Sequence, residues 1–304
     1  MPESTINRDA PETRMQPAFS GSIAAWVEFL GDANIPVLQH TTDSLILLKK
    51  QKAGPSARNV VRIIRGDPLM MIRFLRYLQR YKNYPLQEAM HLEQALIMFG
   101  TQDILDDMAV CPFVEAMLQA HPVALIHLRH RIQCAHIASN YAVEWAIRLH
   151  DPGFEEIRVA ALLHDMAELL LWCFAPARML KINTLQQRDN THKPLHSHSA
   201  QRQILGFTMN ELQSRLVTEW SLPELMMTLM DGAFAAQPRV QNVLLSVNLA
   251  RHTAHGWDDV TLPEDFAAIG RLLHITPDNV KVLLRADTGQ AVARIGNDVW
   301  RNPE

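Results

Sequence analysis

His164 and Asp165 stand side by side in the apolar run Ile157-Arg-Val-Ala-Ala-Leu-Leu-His-Asp-Met-Ala-Glu-Leu-Leu-Leu171. An imidazole beside a carboxylate in a buried helical segment needs a partner, because burying either group alone costs several kcal/mol. The chemistry this pair suggests is metal-assisted hydrolysis. There, carboxylates and imidazoles from several helices hold a cation and lower the pKa of its bound water. His130 lies on the preceding helical segment, Leu128-Arg-His-Arg-Ile-Gln-Cys-Ala-His-Ile-Ala138. If that helix turns back at Asp151-Pro-Gly153, His130 can approach His164. The competing reading is a pair of histidines satisfied by backbone carbonyls or helix ends, with Asp165 stiffening the core through hydrogen bonds.

The elements that must position these residues are all helical. The chain has 304 residues, 48% of them hydrophobic and 20% charged, with only 12 glycines. Few glycines favour helix over a turn-rich β architecture. Apolar residues recur with helical period from near Ile23 almost to the end, and no run of alternating β-branched residues interrupts them. Punctuation is clear. Gly66-Asp67-Pro68 reads as a helix stop, an N-cap and a proline at the first helical position. Gly100-Thr101 ends one helix and starts the next, and Pro122 opens a long helix to about His150. Pro223, Pro263 and Pro277 open later helices in the same way. The fold class expected is all-α.

Other features limit the functional classes. Three dispersed cysteines, Cys111, Cys134 and Cys173, form neither a disulfide framework nor a CxxC metal site, which points to a reducing cytoplasm. The polar start, rich in Pro, Glu, Thr and Ser, reads as a disordered tail over residues 1–20. It contains no apolar segment that would support secretion or membrane insertion. Net charge is −3, yet residues 49–82 carry ten basic side chains against Asp67, leaving −12 on the rest. Arg58, Arg62 and Arg65 share one face of a helix, and Arg73, Arg76 and Arg80 share a face of the next. These two stripes are candidates for an acidic protein face, an anionic ligand or nucleotide, or a nucleic-acid backbone. The alternative is a solvated outer surface. Sequence-specific DNA binding is not expected from a slightly acidic chain without a helix-turn-helix signature. Tyr77, Tyr81 and Tyr84 fit either base stacking or a core edge. His192, His196 and His198 fall in a polar stretch where an adventitious exposed loop is the preferred reading over a metal site. Met70, Met71, Met226, Met227 and Met230, with Trp26, Trp145, Trp172 and Trp220, read as packing residues.

Four segments, in order and spacing, resemble the HDOD family, bacterial relatives of the HD phosphohydrolases that generally lack the full metal-ligand set. They are Ile35-Pro-Val-Leu with Asn59-Val-Val-Arg-Ile-Ile-Arg-Gly-Asp-Pro-Leu69, then Glu93-Gln-Ala-Leu-Ile-Met-Phe-Gly100. The third is Val159-Ala-Ala-Leu-Leu-His-Asp-Met-Ala167, and the fourth Ile204-Leu-Gly-Phe-Thr-Met-Asn-Glu-Leu212 running into Glu219-Trp-Ser-Leu-Pro223. The resemblance implies an HDOD domain over 21–236, with an N-terminal helical part at about 21–120 and an HD-like part at about 121–236. A C-terminal helical extension, 237–304, would pack on the latter. It also implies a degenerate site. His130, His164 and Asp165 match ligand positions of catalytic HD relatives, whereas other ligand positions fall on Met209, Asp231 and Asn248. A thioether and a neutral amide are poor ligands for a hard cation. The expectation is therefore a protein without a catalytic centre, bound metal or cofactor, regulatory in bacterial signal transduction and acting by association with a protein partner. A weak metal-dependent phosphohydrolase is the alternative.

Overall fold

The computed structural model describes residues 21–51, 55–82, 92–108, 111–187, 196–222 and 224–284. The expected N-terminal tail, His192 and Tyr84 lie outside these residues, as do the side chains of Arg80 and Tyr81. Helices follow one another with short connections: α1 Ile23–Asp32, α2 Gln39–Lys49, α3 Ala57–Arg65, α4 Pro68–Lys82, α5 Leu92–Phe99, α6 Thr101–Met108 and α7 Val114–Met117. Then come α8 Pro122–Arg148, α9 Phe154–Leu163, α10 Met166–Phe174, α11 Pro176–Gln186, α12 Ser197–Leu205, α13 Met209–Glu219 and α14 Glu224–Met230. α15 Pro238–His252 and α16 Leu262–Leu273 follow, with a last helical stretch over 277–284. The protein is all-α. Its one extended contact among the described residues is an isolated parallel bridge between Val37 and Phe113.

Local chemistry explains the element ends. Gly66 caps α3, and Pro68 begins α4. Between them Asp67 Oδ1 accepts the backbone N–H groups of Leu69 at 2.9 Å and Met70 at 3.3 Å, donors that the first turn of α4 would otherwise leave unpaired. Its Oδ2 reaches back to Leu38 N at 2.8 Å and Thr41 Oγ1 at 3.0 Å, so the same carboxylate fastens the start of α2. Gly206 takes the left-handed conformation that closes α12, and Thr208 opens α13 with a reciprocal capping box to Glu211.

α8, 27 residues long, is the spine. Its first half adds Ala124, Leu128 and Ile132 to a continuous apolar core that runs from Trp26 to Met226. Its second half sets Ala142 and Ala146 against Ile157 of α9 and Val240 and Val243 of α15. Tyr141 and Trp145 face Leu249, Leu262 and Phe266, which brings α16 onto the same spine. Three further joints tie the N-terminal helices to α8–α13. His136 Nε2 donates to the Gly66 carbonyl at 3.0 Å, Arg65 pairs with Glu155 at 2.6 Å, and the rings of Phe29 and Phe174 meet edge to face at 5.5 Å. Met70, Met71 and Met226 are buried, as are all four tryptophans expected to anchor packing, while Met227 is partly exposed. No single described helix is long and apolar enough to cross a membrane.

Candidate functional site

The His164-Asp165 doublet sits at a corner. α9 ends at Leu163 and α10 begins at Met166, so the continuous helix read from the sequence is in fact two helices meeting at the doublet. The apolar periodicity runs straight through the corner because both helices bury their faces in the same interior, and so it conceals the change of direction. The break frees the His164 carbonyl and the Ala167 N–H. Gln213 of α13 satisfies both, donating its Nε2 to the carbonyl and accepting the N–H at 3.2 Å.

At this corner Asp165 Oδ1 accepts two hydrogen bonds, from His164 Nδ1 at 2.8 Å and from an Nη of Arg251 at 2.5 Å. Arg251 comes from the last turn of α15. Burial alone would raise the Asp165 carboxyl, but the Arg251 guanidinium and His164 outweigh it and hold the group well below the usual carboxylate range. The carboxylate in turn raises Arg251 above its ordinary value, against the effect of burial. The Asp165–Arg251 pair is therefore ionised, and His164 Nδ1 donates its N–H to the carboxylate. His164 Nε2 is buried with no hydrogen-bond partner among the described residues. Around this pair, Glu168 of α10 pairs with Arg131 at 2.7 Å and accepts Trp172 Nε1 at 3.3 Å. His127 stacks on Trp172 with ring centroids 5.0 Å apart.

The residues present do not suit a divalent cation. The carboxylate that would bind it already carries a guanidinium, whose charge opposes a metal at the same oxygen. His130 is half-buried on α8, next to Arg131. Met209 begins α13, where its backbone N–H donates to Gln201 Oε1 at 2.9 Å. Asp231 is exposed and caps a short 3-10 turn by accepting Ala233 N at 2.9 Å. Asn248 is half-buried on α15, one turn before Arg251. Among the described residues no three His, Cys, Asp or Glu side chains form a group able to hold a metal ion.

The six arginines of the basic stripes have different surroundings. Arg58 and Arg62 are exposed on α3. Arg65 pairs with Glu155. Arg73 donates to Asn34 Oδ1 and to the Ile35 carbonyl, and Arg76 donates to the carbonyls of Gly31 and Ala33 while lying 5.0 Å from the Trp220 ring. Those two bind α4 to the end of α1 and the loop that follows it. Arg80 has no described side chain. His196 and His198 are exposed at the start of α12, their rings 5.6 Å apart.

A profile of the HDOD domain matches residues 35–233. The chain belongs to the HDOD family. Among the solved structures that share its fold are two that cover most of the chain. One is the MmoQ response regulator from Methylococcus capsulatus str. Bath, at 14% identity and a TM-score of 0.57, covering 83% of this chain and 98% of that one. The other is a virulence factor (cj0248) from Campylobacter jejuni subsp. jejuni, at 13% identity and a TM-score of 0.57, covering 85% and 92%. No curated protein matches the chain. Two residues of this HDOD protein's site escape sequence reasoning. Arg251 lies 86 positions from Asp165, and Gln213 lies 49 from His164. The one usable signal was a cation one helical turn after Asn248, on the inward side of a helix that also carries Asn242 and Ser246.

Proposed function

We propose that this HDOD protein is a non-catalytic recognition module of bacterial signal transduction, acting in the cytoplasm by binding a partner protein or a small ligand. The observation that carries this reading is the Asp165–Arg251 ion pair. A guanidinium from the chain itself neutralises the doublet, so water activation by a cation has no place to occur, and the corner serves as a structural clamp. The printed description of MmoQ as a response regulator is consistent with such a role. Exposed Arg58 and Arg62 make the outer face of α3 the surface we assign to an acidic partner.

Two measurements test this. Calorimetric titration with Mn²⁺ and Mg²⁺, paired with an assay of bis(p-nitrophenyl) phosphate hydrolysis, is expected to give neither binding nor turnover. Metal-dependent hydrolysis that disappears in Asp165→Asn would replace the reading with a phosphohydrolase. Affinity capture from native cell extract, followed by mass spectrometry, is expected to recover a defined protein with wild type and lose it with Arg58→Glu/Arg62→Glu. Equal capture by both forms would move the interface away from α3.

A further inference from the structure

Two arginines from different helices meet on one carboxylate oxygen at the joint between α3 and α9. Arg65 Nη2 lies 2.6 Å from Glu155 Oε2, and Arg158 Nε lies 3.5 Å from the same atom. The two guanidiniums therefore stand within about 6 Å of each other, the sum of those distances. The three side chains are between 23% and 29% exposed, so a ligand from solvent can reach them. Arg62 is exposed one turn before Arg65, and Arg58 one turn before Arg62, at spacings that make neighbours on a helix face.

The patch is short of negative charge. Four arginines are matched by a single glutamate, and none of the four pairs with another acid among the described residues. Burial holds Arg158 below its ordinary value; Glu155 opposes this, and the Arg65 charge adds to it. Two guanidiniums that repel each other across one carboxylate gain from a second anion that touches both. A further carboxylate would bring one charge and two oxygens, which Glu155 already supplies. A phosphate monoester carries about −1.5 to −2 at neutral pH and three acceptor oxygens, and so engages several guanidinium forks at once. A long polyanion is disfavoured, because the chain outside residues 49–82 carries −12.

We propose that the α3–α9 joint binds a phosphorylated side chain of a partner protein, its phosphoryl oxygens shared by Arg62, Arg65 and Arg158. The proposal rests on the reading of α3 as the surface for an acidic partner, and it names the group that the partner presents. Bound there, the phosphoryl group tightens the N-terminal helices onto α9, the helix that ends at the doublet.

The test is fluorescence anisotropy of the full chain with labelled degenerate peptides centred on phosphoserine or phosphotyrosine. The same peptides without phosphate and a single-stranded oligonucleotide are the comparison probes. At least one phosphopeptide is expected to bind at least about tenfold tighter than its unphosphorylated form, a difference of about 1.4 kcal/mol. Arg62→Glu is expected to weaken it by about tenfold or more. Lys181→Glu, an equal charge change at an exposed site on α11, is expected to leave it unchanged. Arg158→Gln is expected to act like Arg62→Glu, which decides the matter if the Arg158 variant unfolds. Equal binding with and without phosphate, binding indifferent to Arg62→Glu, an equal loss in Lys181→Glu, or tighter binding of the oligonucleotide would each overturn the proposal. Capture from cell extract separates it from the reading beneath it. Phosphatase treatment of the extract is expected to abolish capture. Capture that survives phosphatase yet is lost with Arg58→Glu/Arg62→Glu would overturn the phosphoryl group and leave the acidic partner standing.

Discussion

Asp67, among the N-terminal helices, and Asp165, at the corner between α9 and α10, are both interior carboxylates, and their charges are handled in opposite ways. Asp67 is 0% exposed and meets only neutral donors: three backbone N–H groups and the Thr41 hydroxyl. Burial outweighs these and pushes its carboxyl above the ordinary value. Asp165 meets a full positive charge, and its carboxyl is held well below the ordinary value despite burial. Dipoles make the first carboxylate a fastener between helices. A cation makes the second one half of an internal salt. In a hydrolytic relative of this fold that second carboxylate would be available to a metal, and here it is occupied by the chain.

The sharpest way to break this contrast is to remove each acid's partners. Asp67→Ala leaves the Leu38, Leu69 and Met70 amides buried without acceptors, and should destabilise the protein by about 3 kcal/mol or more in urea denaturation, at about 1–3 kcal/mol per unmatched group. A loss below 1 kcal/mol would show that water satisfies these amides. Arg251→Met should cost about 2–3 kcal/mol, less than the 3–5 typical of a fully buried pair because both side chains are partly accessible. Asp165→Asn/Arg251→Met should recover most of that loss. If the double variant is no better than the single one, the pair is not coupled, and the clamp reading fails.

Acid titration separates the two sites by sign. Asp165, with a depressed native pKa, contributes stability that is complete above the unfolded value near 3.9 and is lost as pH falls below it. Asp67, with a raised native pKa, does the reverse: its protonation stabilises the fold as pH falls from its native value towards about 3.9. The thermal midpoint of Asp165→Asn/Arg251→Met should therefore fall less steeply below about pH 4 than that of wild type. Identical slopes would remove Asp165 from the account of acid stability. The smallest effect is expected at the surface. Arg62→Glu should change stability by no more than about 0.5 kcal/mol, and circular dichroism melting would reveal a hidden structural role if the change is larger.

The all-α fold and its punctuation were legible in the sequence because helix ends are local. Gly66-Asp67-Pro68, Gly100-Thr101 and Pro122 each act within a few residues of themselves, and each ends or begins a helix as read. The doublet was legible as a polar pair in an apolar run. Its partner was not, since Arg251 belongs to a helix far along the chain and reads by itself as an ordinary terminal-turn cation. The second arginine stripe shows the same limit. Arg73 and Arg76 keep helical spacing, which marks a shared face, but spacing does not reveal that the face looks onto the carbonyls of Gly31, Ala33 and Ile35 rather than onto solvent.

The grip of Gln213 on the corner has a mechanical consequence. One amide both gives a proton to His164 and takes one from Ala167, so α13 acts as a hinge pin through the bend that carries the doublet. A glutamate in its place would repel the carbonyl, and a leucine would leave both backbone groups unsatisfied. α13 also packs on α1, so a pull that opens the bend is passed on to the first helix of the domain.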